Sequence, residues 1–222
     1  MKNLFIVANW KSNKNTSEAH AWLLNIERGI GLVDLTDKEI VVCPSYLSLP
    51  SMKAYILQKN LDIKLGAQDI SPFEAGAFTG EINGSQLQEV VNYVLAGHSE
   101  RRRELGETDG LIHRKVMQTH AAGLQSILCV QGDDTPVPQG VSMVAYEPIF
   151  AIGTGTPDAP DHSESIAASI KQKNPSVEYV LYGGSVSEED VKSFTNMPSI
   201  DGVLVGGASL DPEKFLQIIE NS

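Results

Sequence analysis

The chain has 222 residues, of which 41% are apolar and 20% are charged, and its formal net charge is −11. This composition excludes disordered and collagen-like chains, and the length suits a single domain, residues 1–222, around one sizeable core. The excess of negative charge argues against a nucleic-acid partner, because it would repel a phosphate polymer, but it admits a small anionic ligand held by local donors.

The chain opens with a short apolar stretch, Leu4–Ala8, and a first strand is predicted at residues 4–10. This stretch is much shorter than the core of a signal peptide or a membrane span. We therefore expect a soluble, cytoplasmic protein with no membrane partner.

Strand-length apolar runs and segments of helical period then alternate along the chain. The first helix is predicted at residues 17–30, where the apolar side chains lie on one face. Seven further strands are predicted at 39–45, 63–69, 91–98, 125–132, 142–148, 178–185 and 200–207. Further helices are predicted at 49–60, 84–90, 108–123, 162–173, 187–194 and 211–220, with a short one starting at Ser99.

The strands are apolar without alternation, as in Val41–Cys43 and Ile127–Val130, which is typical of parallel strands covered on both faces. Alternating strands and helices form either an open doubly wound sheet or a closed barrel of eight units. The count of eight strands favours the barrel. In such a barrel the chemistry lies at the carboxyl ends of the strands.

The two cysteines, Cys43 and Cys129, lie in separate strand-like runs. Two cysteines far apart in sequence form neither a metal cage nor a disulfide framework, so we expect reduced core residues. The sequence predicts no metal and no cofactor.

Chemically active residue types follow five of the predicted strands. They are Asn9 and Lys11 after strand one, His98 after strand four, Glu147 after strand six, Gly183, Gly184 and Ser185 after strand seven, and Gly206 and Gly207 after strand eight. A carboxylate, an imidazole and an ammonium group on one rim favour proton transfer beside a carbonyl over hydrolysis. Glycine turns after strands seven and eight are typical of phosphate sites, whereas no GxGxxG motif follows strand one to indicate redox chemistry.

Six motifs resemble the triosephosphate isomerase family, in that family's order and from the first strand to the last helix. They are NWK (9–11), GAFTGE (76–81), GHSERR (97–102), AYEP with AIGTG (145–155), YGGSV (182–186) and DGVLVGGASL (201–210). The resemblance implies a single (β/α)8 TIM barrel. It also implies an isomerase of glycolysis and gluconeogenesis that interconverts dihydroxyacetone phosphate and D-glyceraldehyde 3-phosphate through an enediol(ate).

The resemblance also implies the roles of the rim residues. Glu147 is then the base that removes a proton beside the substrate carbonyl, and His98 is a neutral electrophile that hydrogen-bonds the carbonyl oxygens. The helix that starts at Ser99 points its N–H groups at the His98 ring and disfavours ring protonation. Lys11, with Asn9 beside it, stabilises the enediolate and helps to hold the substrate phosphate, and Glu100 lies close to Lys11.

By the same resemblance, backbone N–H groups bind the phosphate at four positions: Gly153, Ser185, Gly206 and Gly207. The segment from Glu147 to Thr156 is interpreted as a lid, with Pro148 at its start and an apolar middle. Phe150 stands where the family usually has tryptophan, and Asp69 stands where asparagine is common.

The resemblance further implies a homodimer. In the family, an arginine at the position of Arg101 pairs with a glutamate at that of Glu81 in the neighbouring subunit. The loop that contains Thr79 then docks beside the neighbour's site.

The connection between strands five and six is too short for a helix. The residues between them, Asp133–Val141, include two prolines, and a parallel crossover usually takes a dozen or more residues. We therefore expect the fifth outer helix to be missing and the outer face of strands five and six to be uncovered, unless neighbouring helices or another subunit close over it.

Two other functions are compatible with a barrel of this kind. An aldolase or sugar-phosphate epimerase would need a Schiff-base lysine in strand six or metal ligands, and neither is visible. The other is a non-catalytic binding or interaction protein that has kept the fold but lost turnover, and the presence of Asn9, Lys11, His98 and Glu147 argues against it.

Overall fold

The structure, a computed structural model, describes residues 3–151 and 156–222 and forms a closed barrel of eight parallel strands. The strands are β1 (Leu4–Asn9), β2 (Lys38–Cys43), β3 (Lys64–Ala67), β4 (Tyr93–Ala96), β5 (Gln125–Val130), β6 (Met143–Tyr146), β7 (Tyr179–Tyr182) and β8 (Gly202–Val205). Each strand pairs with the next along the chain, and β8 closes the barrel on β1 through pairs such as Val7 with Leu204. The predicted (β/α)8 barrel is confirmed.

Helices surround the barrel. They are α1 (Thr16–Ile30), α2 (Leu49–Lys59), α3 (Gly84–Leu87), α4 (Ser99–Leu105), α5 (Asp109–Ala121), α6 (Pro160–Lys173), α7 (Val191–Thr195) and α8 (Pro212–Asn221), with 3-10 turns at Tyr46–Ser48, Ile149–Ala151 and Gly207–Leu210. Within the described ranges, no helix combines the length and apolar character that crossing a bilayer requires.

The core has two layers because side chains alternate across each strand. Phe5 and Val7 belong to a cluster made of strand residues from most of the barrel, which fills its interior. Ile6 and Ala8 belong to the larger cluster between barrel and helices. Both faces of the strands are therefore buried, as the apolar runs in the sequence predict.

Capping residues and glycines place most of the helix ends close to the predicted positions. The Thr108 hydroxyl accepts a hydrogen bond from Leu111 N and caps α5, and Gly123 follows the helix with a φ of 70°. The helix predicted at 187–194 is shorter than expected, because Ser187 N donates to the Asp190 carboxylate and forms a turn before α7 begins.

No helix lies between β5 and β6, as predicted from the short connection Asp133–Val141. The expectation that this leaves the outer strand face uncovered is wrong: Leu128, Val130 and Val144 are all fully buried. Val141 in the link is also fully buried, and Val137 packs partly against the same cluster. Link side chains therefore replace part of the missing helix.

The link is also fastened to the next helix. The Asp133 carboxylate accepts hydrogen bonds from Ser169 and Lys173 of α6, at 2.5 and 2.6 Å. These contacts hold the start of the link against the outer layer. Cys43 and Cys129 are free and buried, as predicted.

Candidate active site

The carboxyl ends of five strands, β1, β4, β6, β7 and β8, surround one pocket of about 250 Å³. Its lining includes Asn9, Lys11, His98 and Glu147 together with the turns after β7 and β8. The barrel thus brings together residues that are up to 199 positions apart in sequence (208 − 9).

Glu147 follows β6 and is 1% exposed. One carboxylate oxygen, Oε2, accepts a hydrogen bond from Ser99 N at 2.8 Å. The other, Oε1, is buried and lies 2.8 Å from Nε2 of His98 without the alignment of a hydrogen bond. A buried carboxylate oxygen without a well-aligned donor is costly, so this oxygen is able to accept a hydrogen bond or a proton from a group that enters the pocket.

His98 ends the loop after β4 and caps α4, as expected from the sequence. Its Nδ1 accepts a hydrogen bond from Glu100 N at 3.3 Å, which leaves the ring proton of the neutral form on Nε2. Nε2 faces Glu147 and the pocket. The ring can therefore donate to an oxygen of a bound molecule.

Lys11 lies beside both groups in an unusual backbone conformation, with a φ of 53°. Its N–H donates to the Asn9 side chain at 3.0 Å, which ties the two residues together after β1. Its Nζ lies 2.5 Å from Glu100 Oε1. Burial would raise the pKa of Glu100, but the hydrogen bond and charge of Lys11 outweigh it and lower this pKa.

The turns after β7 and β8 form the other wall of the pocket. Ser185, Gly206 and Gly207 lie there, where the sequence places phosphate binding. A Cβ atom on Gly184 would collide with the hydroxyl of Tyr182, so this turn requires glycine. Ser185 Oγ donates to Ala151 O at 2.7 Å, whereas the predicted phosphate ligand Gly153 lies outside the described residues.

Sequence reasoning missed one polar residue beside the site. The amide nitrogen of Gln68 donates to the backbone oxygens of Lys11 and Cys43, at 2.8 and 2.9 Å. It thereby holds the strained backbone of Lys11. The available signal was a polar residue directly after β3, at the same rim as the others.

The three residues predicted at a dimer contact lie on one side of this rim. Thr79 and Glu81 are exposed in the loop after β3. The guanidinium of Arg101 pairs within the chain with Asp69 at 2.7 Å and with Glu107 at 2.8 Å. A second pocket, of about 270 Å³, opens beside Arg101 and Leu105 and also reaches Lys11 and His98.

The fold and the pocket together define a (β/α)8-barrel enzyme with acid, base and cationic side chains at the carboxyl rim. Within residues 3–151 and 156–222, no cluster of three or more His, Cys, Asp or Glu side chains is placed to hold a metal ion.

Comparison with known proteins identifies the family. The sequence model of the family described as Triosephosphate isomerase matches residues 4–140 and 134–222. The chain belongs to the triosephosphate isomerase family.

Similar relatives cover nearly the whole chain. The triosephosphate isomerase of Aquifex aeolicus is 37% identical, with 96% of this chain and 97% of the relative aligned. The enzymes of Thermus thermophilus and Mesomycoplasma hyopneumoniae are 34% and 36% identical, with 98% or more of each chain aligned.

These alignments also bear on the shortened link. The alignment with the Aquifex aeolicus enzyme has 247 positions, so it contains at least 25 (247 − 222) at which this chain has no residue. The two segments matched by the family model overlap at residues 134–140, within the link. This chain therefore lacks residues at some positions of the alignment, as expected if it lacks an element.

Proposed function

We propose that the pocket interconverts dihydroxyacetone phosphate and D-glyceraldehyde 3-phosphate by proton transfer through an enediol(ate), in glycolysis and gluconeogenesis. The observation that carries this proposal is the adjacency of Glu147 and His98 in the pocket, where the buried oxygen Oε1 of Glu147 lies 2.8 Å from His98 Nε2. A base and a hydrogen-bond donor are thus adjacent in a space that fits a small ligand.

Glu147 acts as the base in this proposal. Its carboxylate takes a proton from the carbon beside the substrate carbonyl, and the C–H electron pair moves to give an enediolate. The protonated carboxyl then returns the proton to the neighbouring carbon. One residue can serve both steps because the two carbons are adjacent in the substrate.

His98 serves the oxygens while Glu147 serves the carbons. The neutral ring donates from Nε2 to the carbonyl oxygen and stabilises the negative charge that develops there. The ring gives the Nε2 proton to the oxygen on one carbon and takes a proton from the oxygen on the neighbouring carbon. This exchange converts the enediolate that is protonated on one oxygen into the enediolate that is protonated on the other. The hydrogen bond from Glu100 N to Nδ1 places the proton of the neutral ring on Nε2, the atom that faces the pocket.

Lys11 and the glycine turns hold the charged parts of the substrate. Lys11 lies beside the turn at Gly206, since a Cβ atom there would be 3.5 Å from Lys11 Cε, and it lines the same pocket as His98 and Glu147. It is placed to stabilise both the enediolate and the phosphate. Backbone N–H groups of Gly153, Ser185, Gly206 and Gly207 bind the phosphate in this proposal.

We also propose a cytoplasmic homodimer, on the grounds of the family and its pathway. The loop that carries Thr79 and Glu81 is exposed, and the stacked pair Phe73 and Phe78 stands on it with ring centroids 4.2 Å apart. An apolar tip on an exposed loop favours docking against another surface. The second pocket beside Arg101 is the receiving surface that we propose on the partner subunit.

A coupled assay on glyceraldehyde 3-phosphate tests the reaction. The proposal predicts that the purified chain forms dihydroxyacetone phosphate without an added metal or cofactor, and that solvent deuterium enters the product at the carbon that is reprotonated. Cleavage or epimerisation of sugar phosphates would indicate an aldolase or an epimerase. Binding of the substrate without turnover would indicate a non-catalytic protein.

A further inference from the structure

We propose that Asp158 and His162 are positioning residues for the turn at 183–185, which forms one wall of the phosphate site. This inference rests on the proposed function for the identity of the bound group. Neither residue lines the pocket. They act through the Tyr182 side chain, which lies between them and the turn.

Tyr182 connects the turn to the start of α6. It is the last residue of β7 and is 1% exposed, and its ring stacks on Phe194 with centroids 3.9 Å apart and an angle of 5°. Its hydroxyl lies against the backbone of Gly184, where no Cβ atom would fit. A shift of this hydroxyl would therefore displace Gly184 and the N–H groups beside it.

The backbone of Asp158 holds that hydroxyl in place. Asp158 N donates to the oxygen of Tyr182 at 2.8 Å. Burial raises the pKa of Tyr182, so the hydroxyl stays neutral and accepts this bond without taking on charge. The direction of the Asp158 N–H then decides where the Tyr182 hydroxyl lies.

The carboxylate of Asp158 fixes the direction of its own backbone. Oδ1 accepts from Ala159 N at 2.8 Å, and Oδ2 accepts from Ser163 Oγ at 3.1 Å. Nδ1 of His162 lies 2.7 Å from the same Oδ2. Capping of α6 would use one oxygen, whereas here both oxygens of a residue that is 8% exposed are used, and they contact one backbone N–H and two side chains.

His162 is the accessible member of this group, with a side chain that is 52% exposed. Ser163 is fully buried behind it. We therefore expect substitution of His162 to loosen the carboxylate without opening a cavity in the core. Asp161, an exposed carboxylate in the same helical turn, offers a matched control.

The test measures phosphate binding separately from turnover. Calorimetry gives the dissociation constant of inorganic phosphate for the wild-type chain and for the variants Asp158→Ala, Asp158→Asn, His162→Gln, Tyr182→Phe and Asp161→Asn. We expect Asp158→Ala and Tyr182→Phe each to weaken binding about five- to tenfold, as for the loss of one hydrogen bond, and Asp161→Asn to have no effect. KM for the triose phosphate should rise in parallel, whereas kcat/KM for phosphate-free glyceraldehyde should not change.

A double-mutant cycle separates positioning from general destabilisation. If Asp158 acts through the Tyr182 hydroxyl, Asp158→Ala should weaken phosphate binding little further in a Tyr182→Phe background. Independent effects of the two substitutions, or phosphate binding within twofold of wild type in folded His162→Gln and Asp158→Asn, would overturn the inference. The proposed function and the positioning role can fail separately. If the wild-type chain binds phosphate but shows no isomerase turnover, and the substitutions still weaken phosphate binding, the proposed function fails but the positioning role stands.

Discussion

The ammonium nitrogen of Lys11 lies 2.5 Å from Oε1 of Glu100, a residue 89 positions later in the chain. The pair joins the end of β1 to the first turn of α4, which His98 caps. Because Glu100 N also donates to His98 Nδ1, one residue contacts both the cation and the imidazole of the site. The position of each group therefore depends on the other two.

Substitution of Lys11 by methionine should abolish most of the activity while the chain stays folded. The change keeps the length of the side chain but removes the cation that stabilises the enediolate and the phosphate. We expect kcat/KM to fall by about a hundredfold or more in the coupled assay. The control is Lys14→Met, since Lys14 lies over the Trp10 ring at 5.5 Å and does not line the pocket. Equal activity of the two variants would contradict the role given to Lys11.

Truncation of Val141 should show how much the shortened link contributes to stability. Its side chain is fully buried over β5 and β6, so Val141→Ala should lower the free energy of unfolding by about 2 kcal/mol. Val137→Ala, in the same link but only partly buried, should cost less. Urea unfolding measures both, and a negligible effect of Val141→Ala would show that the link does not cover the strands.

The ion pair that fastens the link should make stability depend on pH. The hydrogen bonds from Lys173 and Ser169 lower the pKa of Asp133 in the folded chain. The ionised Asp133 carboxylate therefore contributes its full share of stability above the pKa of about 4 that an unfolded aspartate has. This contribution is lost as the pH falls through the lower pKa of Asp133 in the folded chain. The unfolding free energies of wild type and Asp133→Asn should differ most at neutral pH and converge in acid. Asp134→Asn, at the exposed neighbour, is the control, and a constant difference would refute the pairing.

Light scattering should give twice the mass of one chain for the wild type. The variant Thr79→Arg places a large cation at the tip of the loop and should hinder its docking on the partner subunit. The measured mass should then shift towards that of a single chain, and turnover should fall. Leu32→Arg, at another exposed position, should leave the dimer intact. A single-chain mass for fully active wild-type protein would contradict the dimer.

Most of the barrel follows from local sequence patterns. Apolar runs such as Ile127–Val130 predict buried parallel strands, and eight of them predict closure. The convergence of Asn9, Lys11, His98 and Glu147 also follows, since all carboxyl ends of a parallel barrel meet at one rim. The missing helix is predictable because too few residues connect β5 to β6.

Other features depend on packing that sequence patterns do not encode. The link covers its strands because Val141 turns inward, which its position between Gly140 and Ser142 does not reveal. The role of Gln68 depends on the backbone oxygens of Lys11 and Cys43, which come close only in the closed barrel. The pairing of Arg101 with Asp69 likewise joins residues from separate strand–helix units.

The most direct test of the account is the turnover of Glu147→Gln beside its binding of inorganic phosphate. Glutamine keeps the shape of the side chain but cannot take up the proton, so kcat should fall by about a thousandfold or more while the dissociation constant of phosphate changes little. Glu178→Gln, an exposed glutamate before β7, should match wild type in both measurements. Normal turnover by Glu147→Gln would contradict the account, because the proton would then be removed by another group.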